Sequence, residues 1–215
     1  MPDLNFQVQS AEVLEYAAVP TLLFRMAVEN TTGEEIRSVA LHTQIRISAT
    51  RRHYDEEEQQ KLWELFGEPH QWGGTLRSMV WVHTNVTVPR FSGSTTFEMP
   101  VTCTYDPEVV GTKYFRALES GEVPLEFLFS GQIFYRGEGG ALQIVQIPWE
   151  KEAEFRLPIG LWKDMIEYYF PNTAWLRIRR DTFDRLHDYK SRKGLLTWED
   201  TLEGLLQTSE EEVGR

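Results

Sequence analysis

The chain has 215 residues, of which 41% are hydrophobic and 13% aromatic, enough for one packed domain with a small appendage. The formal net charge is −11, and residues 1–172 contain 24 acidic against 14 basic residues, which argues against a nucleic-acid partner. The single cysteine excludes an internal disulfide and a multi-cysteine metal site. The sequence shows neither a membrane-spanning apolar run nor a secretion signal, so it predicts a cytoplasmic protein.

Alternating apolar and polar residues predict a β-rich body over residues 1–171. Predicted strands begin near Leu4, Leu22, Val39, Val80, Thr95, Val123, Leu142 and Ala153. The longest apolar run, from Val123 to Tyr135, is predicted to be the central strand, and residues 153–157 an edge strand. This order of strands and turns resembles immunoglobulin-like domains, without the Cys…Trp…Cys signature of antibody domains. The predicted class is α+β, an antiparallel immunoglobulin-like β-sandwich with peripheral helices and a C-terminal tail.

Three helices are predicted inside the body. The first covers residues 54–66, with Asp55 as its N-cap, and residues 69–74 after it are predicted to be an exposed loop. The second is expected to begin at the cap Asp106 with Pro107 in its first position. The third covers residues 159–170.

A strand–helix–helix tail is predicted for residues 172–207, followed by a disordered end at 208–215. The strand is expected at residues 175–179, Asp181 should cap the next helix, and Gly194 should end it in the left-handed conformation. Thr197 and Asp200 have the spacing of a capping box at the start of the second helix.

The order and lengths of these elements resemble the ribbon–helix–helix fold of bacterial repressors and antitoxins. That resemblance implies a dimer whose paired strands enter the DNA major groove, with Trp175, Arg177 and Arg179 facing outward. The acidic residues Glu199 and Asp200 at the start of the second helix would oppose phosphate binding. A tail that pairs with a second copy, or docks on its own body, explains the same pattern.

Residues that could support catalysis or metal binding are few. No phosphate-binding loop, metalloprotease motif or hydrolase nucleophile motif is present, so we predict no cofactor and no catalytic residue. His42 and His83 lie in predicted strands and could meet across a sheet, and Cys103 would need a nearby histidine to act as a nucleophile. An enzyme or metal-binding protein using these three residues is one alternative.

A high density of aromatic residues near the end of the body points to protein binding, because Trp and Tyr combine large buried area with a polar group. The predicted binding residues are Trp149, Trp162, Tyr168, Tyr169 and Trp175. The alternative is that these rings attach the tail to the body.

The whole chain also resembles an uncharacterised bacterial family, a domain of unknown function that is associated with gene neighbourhoods of nickel–iron hydrogenases. The resemblance is carried by residues 66–69 (Phe-Gly-Glu-Pro), 103–106 (Cys-Thr-Tyr-Asp), 129–131 (Phe-Ser-Gly) and 147–152 (Ile-Pro-Trp-Glu-Lys-Glu). It implies an accessory role. We therefore predict a non-enzymatic adaptor that binds another protein or complex and assists assembly of a metalloenzyme. A homodimer through the tail and a DNA-binding regulator are the alternatives.

Overall fold

The structure, a computed structural model, describes residues 1–104, 106, 109–137, 139–173 and 177–213. For residues 211–213 it describes the backbone only. The chain divides into two compact units, Met1–Trp175 and Leu176–Arg215. The predicted boundary between body and tail lies between residues 171 and 172.

In the described residues of the first unit, eight strands form two antiparallel sheets. They are β1 (Leu4–Val13), β2 (Thr21–Asn30), β3 (Ile36–Ile47), β4 (Met79–Val88), β5 (Ser94–Thr102), β6 (Glu122–Arg136), β7 (Leu142–Gln146) and β8 (Glu152–Pro158). Sheet 1 has the order β1-β2-β5. Sheet 2 has the order β4-β3-β6-β7, and β8 also pairs with β6. Each strand predicted in the body is present, and β6 is central in its sheet with β8 at an edge, as predicted.

Both sheets contribute to one hydrophobic core, because alternate residues of each strand point inward. Phe6 of β1 stacks on Phe129 of β6, with ring centroids 4.4 Å apart. Phe24 of β2 meets Phe127 of β6 edge to face, at 5.2 Å. The observed class is therefore mixed α and β with antiparallel sheets.

One edge of β6 is shared by two strands in succession. Residues 122–128 of β6 pair with β8, and residues 132–136 pair with β7. Gly131 lies between these two segments with φ of +128°, and a Cβ at this position would overlap the carbonyl oxygen of Ala40 in β3. Only glycine fits such close contact between backbones.

The α-helices of the first unit, among the residues that the structure describes, are α1 (Glu56–Lys61), α2 (Trp63–Phe66), α3 (Trp72–Thr75), α4 (Val110–Ala117) and α5 (Ile159–Tyr169). Asp55 caps α1 as predicted, since its carboxylate accepts from the Glu58 amide. Two predictions need correction. Residues 69–74 are not an irregular loop but a 3₁₀ turn, Pro69–Gln71, that leads into α3. The helix expected from Asp106 begins only at Val110, with Val109 as its N-cap; Pro107 is outside the described residues.

The second unit contains α6 (Arg180–Lys193) and α7 (Trp198–Val213). Gly194 ends α6 with φ of +67°, and Thr197 and Asp200 exchange side-chain to backbone hydrogen bonds, so both predictions are confirmed. Asp181 does not cap α6; Arg179 occupies that position and Asp181 lies in the first turn.

The sequence predicts a strand at residues 175–179 of the tail. The structure describes residues 177–179 of this segment, and they do not form a strand. Trp175 and Leu176 lie outside the described residues. Helix α7 continues to Val213, beyond the predicted end of the tail at Gln207 and through part of the segment expected to be disordered. No helix in the described ranges is long and apolar enough to cross a membrane.

Candidate protein-binding surface

Two of the predicted binding residues belong to the interior of the first unit. Trp162 of α5 is buried and stacks on Phe115 of α4. Tyr169 is partly buried, and its hydroxyl donates to the carbonyl oxygen of Leu14 and accepts from the amide of Ala17. Trp162 is therefore unavailable to a partner, and Tyr169 attaches α5 to the loop between β1 and β2. The prediction of a binding surface is therefore corrected for Trp162.

The other predicted residues have different positions. Trp149 is 89% exposed and Tyr168 is 45% exposed. The rings of Tyr168 and Tyr169 meet edge to face, with centroids 5.1 Å apart. Trp175 lies outside the described residues. Of the four that the structure describes, only Trp149 is almost fully exposed.

Trp149 lies at the tip of a tight turn between β7 and β8. The amide of Lys151 donates to the carbonyl oxygen of Pro148 at 3.2 Å, which closes the turn. Before the turn, the amide of Ile147 donates to the carbonyl oxygen of Gly131 at 3.0 Å. The turn is thus hydrogen-bonded at its base, and the side chain of Trp149 at its tip extends into solvent.

Strand β7, which precedes this turn, carries two exposed apolar side chains. Leu142 is 63% exposed and Ile144 is 58% exposed. They lie opposite Arg136 and Phe134 of β6, and directly opposed residues share a face, so all four side chains lie on the face away from the core. We call Leu142, Ile144 and Trp149 the sheet-edge surface.

The sequence gives a signal for this surface that the prediction did not use. Residues 142–146, Leu-Gln-Ile-Val-Gln, place two large apolar residues at alternate positions, and in the structure both are exposed while Val145 between Ile144 and Gln146 is partly buried. Which face of the strand would be buried depends on its register with β6, and the local pattern does not reveal this.

The helices inserted between β3 and β4 join α4 through buried polar contacts. Tyr54 donates to the carbonyl oxygen of Ala49 at 2.7 Å, and its hydroxyl oxygen lies 2.7 Å from that of Tyr114. Burial raises the pKa of Tyr54 far above its ordinary value and raises the pKa of Tyr114 to about 12. Both phenols therefore stay protonated at neutral pH and act as structural hydrogen-bonding groups.

A buried ion pair completes this attachment. The guanidinium of Arg52 lies 2.6 Å from the carboxylate of Glu58, and their side chains are 10% and 4% exposed. Arg52 also donates to the carbonyl oxygens of Ser120 and Glu122, just before and within β6. Glu58 thus links α1 to the start of the central strand. Its burial in the first turn of α1, beside Glu56 and Glu57, therefore has a structural explanation that requires no catalytic role.

His42 and His83 are diagonal neighbours on the outer face of the β3–β4 pair, whereas Cys103 lies in the core. Cys103 is buried, and burial raises the pKa of its thiol to about 12, so it is not a thiolate at neutral pH. His42 lies on the outer face of sheet 2, where its Nδ1 is 2.6 Å from Oδ1 of Asn85. His83 is opposite Gln44 in the same pair of strands. Among the described residues, no group of three His, Cys, Asp or Glu side chains could hold a metal ion.

The second unit exposes much of its apolar face. Within its described part, Thr201 is the only buried side chain. The ring of Phe183 in α6 lies 5.2 Å from that of Trp198 in α7, but Phe183 and Leu206 are 43% and 62% exposed. A helical hairpin with so little buried area gains little stability from its own packing.

The two arginines proposed for DNA contact differ in their surroundings. Arg177 is exposed, and no hydrogen bond or ion pair joins it to another described residue. Arg179 donates to Asp181 from Nε at 3.0 Å and also from Nη2, and this pair lowers the pKa of Asp181. The carboxylate of Asp181 therefore neutralises part of the positive charge with which Arg179 would contact a DNA phosphate.

Comparisons with solved structures give distant likenesses. A CARDB domain from Pyrococcus furiosus, crystallised with two metal ions, is 13% identical over 73% of this chain and 92% of its own, with a TM-score of 0.27. A β-glucosidase from Kluyveromyces marxianus is 10% identical over 72% of this chain but only 15% of its own, with a TM-score of 0.26. With such scores neither likeness supports a conclusion about fold or function.

The comparison with curated proteins gives no match. A family model, by contrast, matches residues 1–214, nearly the whole chain. This chain belongs to the family of unknown function DUF6084.

Proposed function

We propose that this protein is a non-enzymatic adaptor that binds another protein through its sheet-edge surface. One observation carries the proposal: three large apolar side chains, Leu142, Ile144 and Trp149, are each more than half exposed along one edge of sheet 2. Single exposed apolar residues are common, but neighbouring ones along one edge are typical of interaction sites. A tryptophan at the tip of a hydrogen-bonded turn is a suitable anchor, because it buries a large area at small entropic cost.

Contacts elsewhere support a role without catalysis. Burial raises the pKa of Tyr54, Tyr114 and Cys103, so all three stay protonated at neutral pH. The buried Arg52–Glu58 pair joins elements of the fold, because Glu58 also accepts from the amide of Glu119.

The partner we propose is a metalloenzyme complex whose assembly the adaptor assists. This part of the proposal comes from the resemblance of the chain to a family associated with nickel–iron hydrogenase gene neighbourhoods. We further propose that the two sheets form an immunoglobulin-like β-sandwich; the Phe6–Phe129 and Phe24–Phe127 contacts between them support this arrangement.

Photo-crosslinking in the native host tests the adaptor function. A photoreactive amino acid at position 149 should give one reproducible protein adduct, identified by mass spectrometry as a subunit of a metalloenzyme complex. The same group at Gln7, exposed on the outer face of β1, provides the control. Co-purification of the identified protein should also fall in Trp149→Ala. The proposal is wrong if position 149 yields no adduct beyond that of position 7.

A second candidate function is that of a dimeric DNA-binding regulator of the ribbon–helix–helix type. The observation in its favour is the second unit, whose two capped helices leave their apolar residues exposed and would be completed by a second copy. Gel-shift titrations at low salt, with wild type and with Arg177→Ala/Arg179→Ala, test it. Retardation by the wild type that weakens in the double variant supports this function; no retardation by the wild type eliminates it.

A further inference from the structure

Strand β7 is an edge strand without the usual protection against pairing. Edge strands commonly carry a charged residue, a proline or a bulge. Strand β1 has a bulge near Val8, β5 contains Glu98 and Pro100, and β8 alternates charged residues. Strand β4 has a register shift against β3, and Thr84 bonds to β5.

By contrast, β7 has no charge and no proline, and its register with β6 is continuous. No described strand pairs with its outer edge. The backbone groups along that edge are therefore available to another extended segment.

A positively charged groove lies beside the same strand. It has a volume of about 370 Å³ and is lined by Arg37, Ser38, Phe134, Arg136, Gly140 and Leu142. Neither Arg37 nor Arg136 forms an ion pair with a described carboxylate. In a chain of net charge −11, two such guanidinium groups beside apolar side chains form a local site for an acidic group.

We propose that β7 accepts an extended segment of the partner protein as an added strand, a proposal that rests on the adaptor function. Main-chain hydrogen bonds to the outer edge of β7 provide affinity, and side chains at alternate positions provide specificity. Apolar side chains of the added strand cover Leu142 and Ile144, and an acidic side chain enters the groove between Arg37 and Arg136. The partner segment is therefore acidic, with apolar residues at i and i+2.

A second copy of this chain is a poorer occupant. In an antiparallel pair of β7 strands centred on Ile144, Leu142 of one copy would lie opposite Gln146 of the other. Strand β7 contains no carboxylate, so it provides no partner for Arg37 or Arg136. Charge complementarity favours a foreign acidic segment.

Selection from a phage-displayed library of random dodecapeptides on the full chain tests the sequence requirement. Enriched peptides should contain two β-branched or aromatic residues separated by one position, together with an aspartate or glutamate. Enrichment of apolar residues at i, i+3 and i+4 would indicate a bound helix and would overturn the proposal, and so would an absence of enrichment.

Affinity measurements on the synthesised consensus peptide test the site. Ile144→Lys and Arg136→Glu should each weaken binding at least about tenfold, because they remove the apolar contact and reverse the charge in the groove. Arg156→Glu, on the outer face of β8, is the matched control and should change affinity by less than about twofold. Equal effects of Arg136→Glu and Arg156→Glu would overturn the assignment of the groove.

Backbone methylation of the peptide tests strand addition itself. N-methylation at alternate residues removes donors without changing side chains, so methylation of the edge-facing set should abolish binding while methylation of the other set is tolerated. If N-methylation of neither set of alternate residues weakens peptide binding, the peptide does not bind as an added strand. Self-association by sedimentation that is lost in Ile144→Lys would instead show pairing between copies and overturn the foreign segment.

These outcomes separate the two proposals. If the protein captured through position 149 binds the β7 variants as well as wild type, an adaptor function through Trp149 stands and strand addition is wrong. If position 149 captures nothing and the peptides do not bind, both are wrong.

Discussion

Trp162 and Phe115 stack with ring centroids 5.2 Å apart and planes inclined by only 11°. This contact joins α5 to α4 inside the core, and it accounts for the burial of Trp162. Trp149 belongs to the same aromatic segment but extends from a turn, almost fully exposed. Two tryptophans that are close in sequence therefore have opposite roles.

Substitution by alanine should separate these roles. Trp162→Ala should lower the free energy of unfolding by about 3–5 kcal/mol, because it removes a large buried side chain and leaves a cavity. Trp149→Ala should leave stability nearly unchanged and affect only partner capture. Urea denaturation followed by far-UV circular dichroism measures both. A larger loss of stability in Trp149→Ala than in Trp162→Ala would contradict this assignment.

Tyr169 and its neighbour Tyr168 provide a second matched pair. Tyr169→Phe removes a hydroxyl that donates to Leu14 and accepts from Ala17. We expect a loss of about 1–3 kcal/mol in the free energy of unfolding, because the partly buried carbonyl and amide lose their partner. Tyr168→Phe should have little effect, since that side chain is 45% exposed. Equal stability of the two variants would show that the Tyr169 hydrogen bonds contribute nothing.

The strands and several helix ends follow from local sequence. Alternation predicts the strands because successive side chains of a strand point to opposite faces. Gly194 and the Thr197–Asp200 pair were predictable because caps depend on a few neighbouring residues.

The candidate site depends on information that is not local. Nothing in residues 148–150, Pro-Trp-Glu, shows that this turn lies where β7 and β8 separate on β6. The exposure of Leu142 and Ile144 depends on register, and the burial of Trp162 depends on α4, which is distant in sequence. The late start of α4 shows the same effect: Asp106 has the chemistry of a cap, but the helix begins at Val110.

The buried pair of Arg52 and Glu58 leads to a third prediction. Glu58→Ala should destabilise the protein by about 3–5 kcal/mol, because it leaves the guanidinium of Arg52 buried without its counter-charge. Glu57→Ala is the control, since Glu57 forms only an exposed pair with Lys61 on the same helix. Guanidinium chloride titration measures both variants. A Glu58→Ala variant as stable as Glu57→Ala would mean that water solvates Arg52 after the substitution.

Gly131 should be intolerant of any side chain. Gly131→Ala forces a Cβ against the carbonyl oxygen of Ala40 and places alanine at φ of +128°, so we expect a loss of more than about 2 kcal/mol. Gly160→Ala in α5 is the control, because a Cβ there meets no atom within 4 Å. That substitution should be neutral or stabilise by up to about 1 kcal/mol. Thermal denaturation compares the stability of the two variants. A Gly131→Ala variant as stable as the wild type would show that β3 and β6 can move apart at this point.

Cys103 gives a prediction about pH. Burial raises the pKa of its thiol from 9.0 to about 12, so at pH 8 only about one native molecule in ten thousand carries the thiolate. A thiol-reactive disulfide reagent should therefore label the native protein very slowly and the urea-unfolded protein quickly, with a clean signal because the chain has one cysteine.

The same shift links stability to pH. The folded state holds the proton of Cys103 more tightly than the unfolded state, so this contribution to stability is fully present below pH 9 and is lost as the pH rises towards 12. Cys103→Ala isolates the effect from other titrating groups: above pH 9 the wild type should lose stability faster than the variant, by up to about 1.4 kcal/mol per pH unit. Parallel pH profiles of the two proteins, or rapid labelling of the native thiol, would show that Cys103 is accessible to solvent and would reopen a chemical role for it.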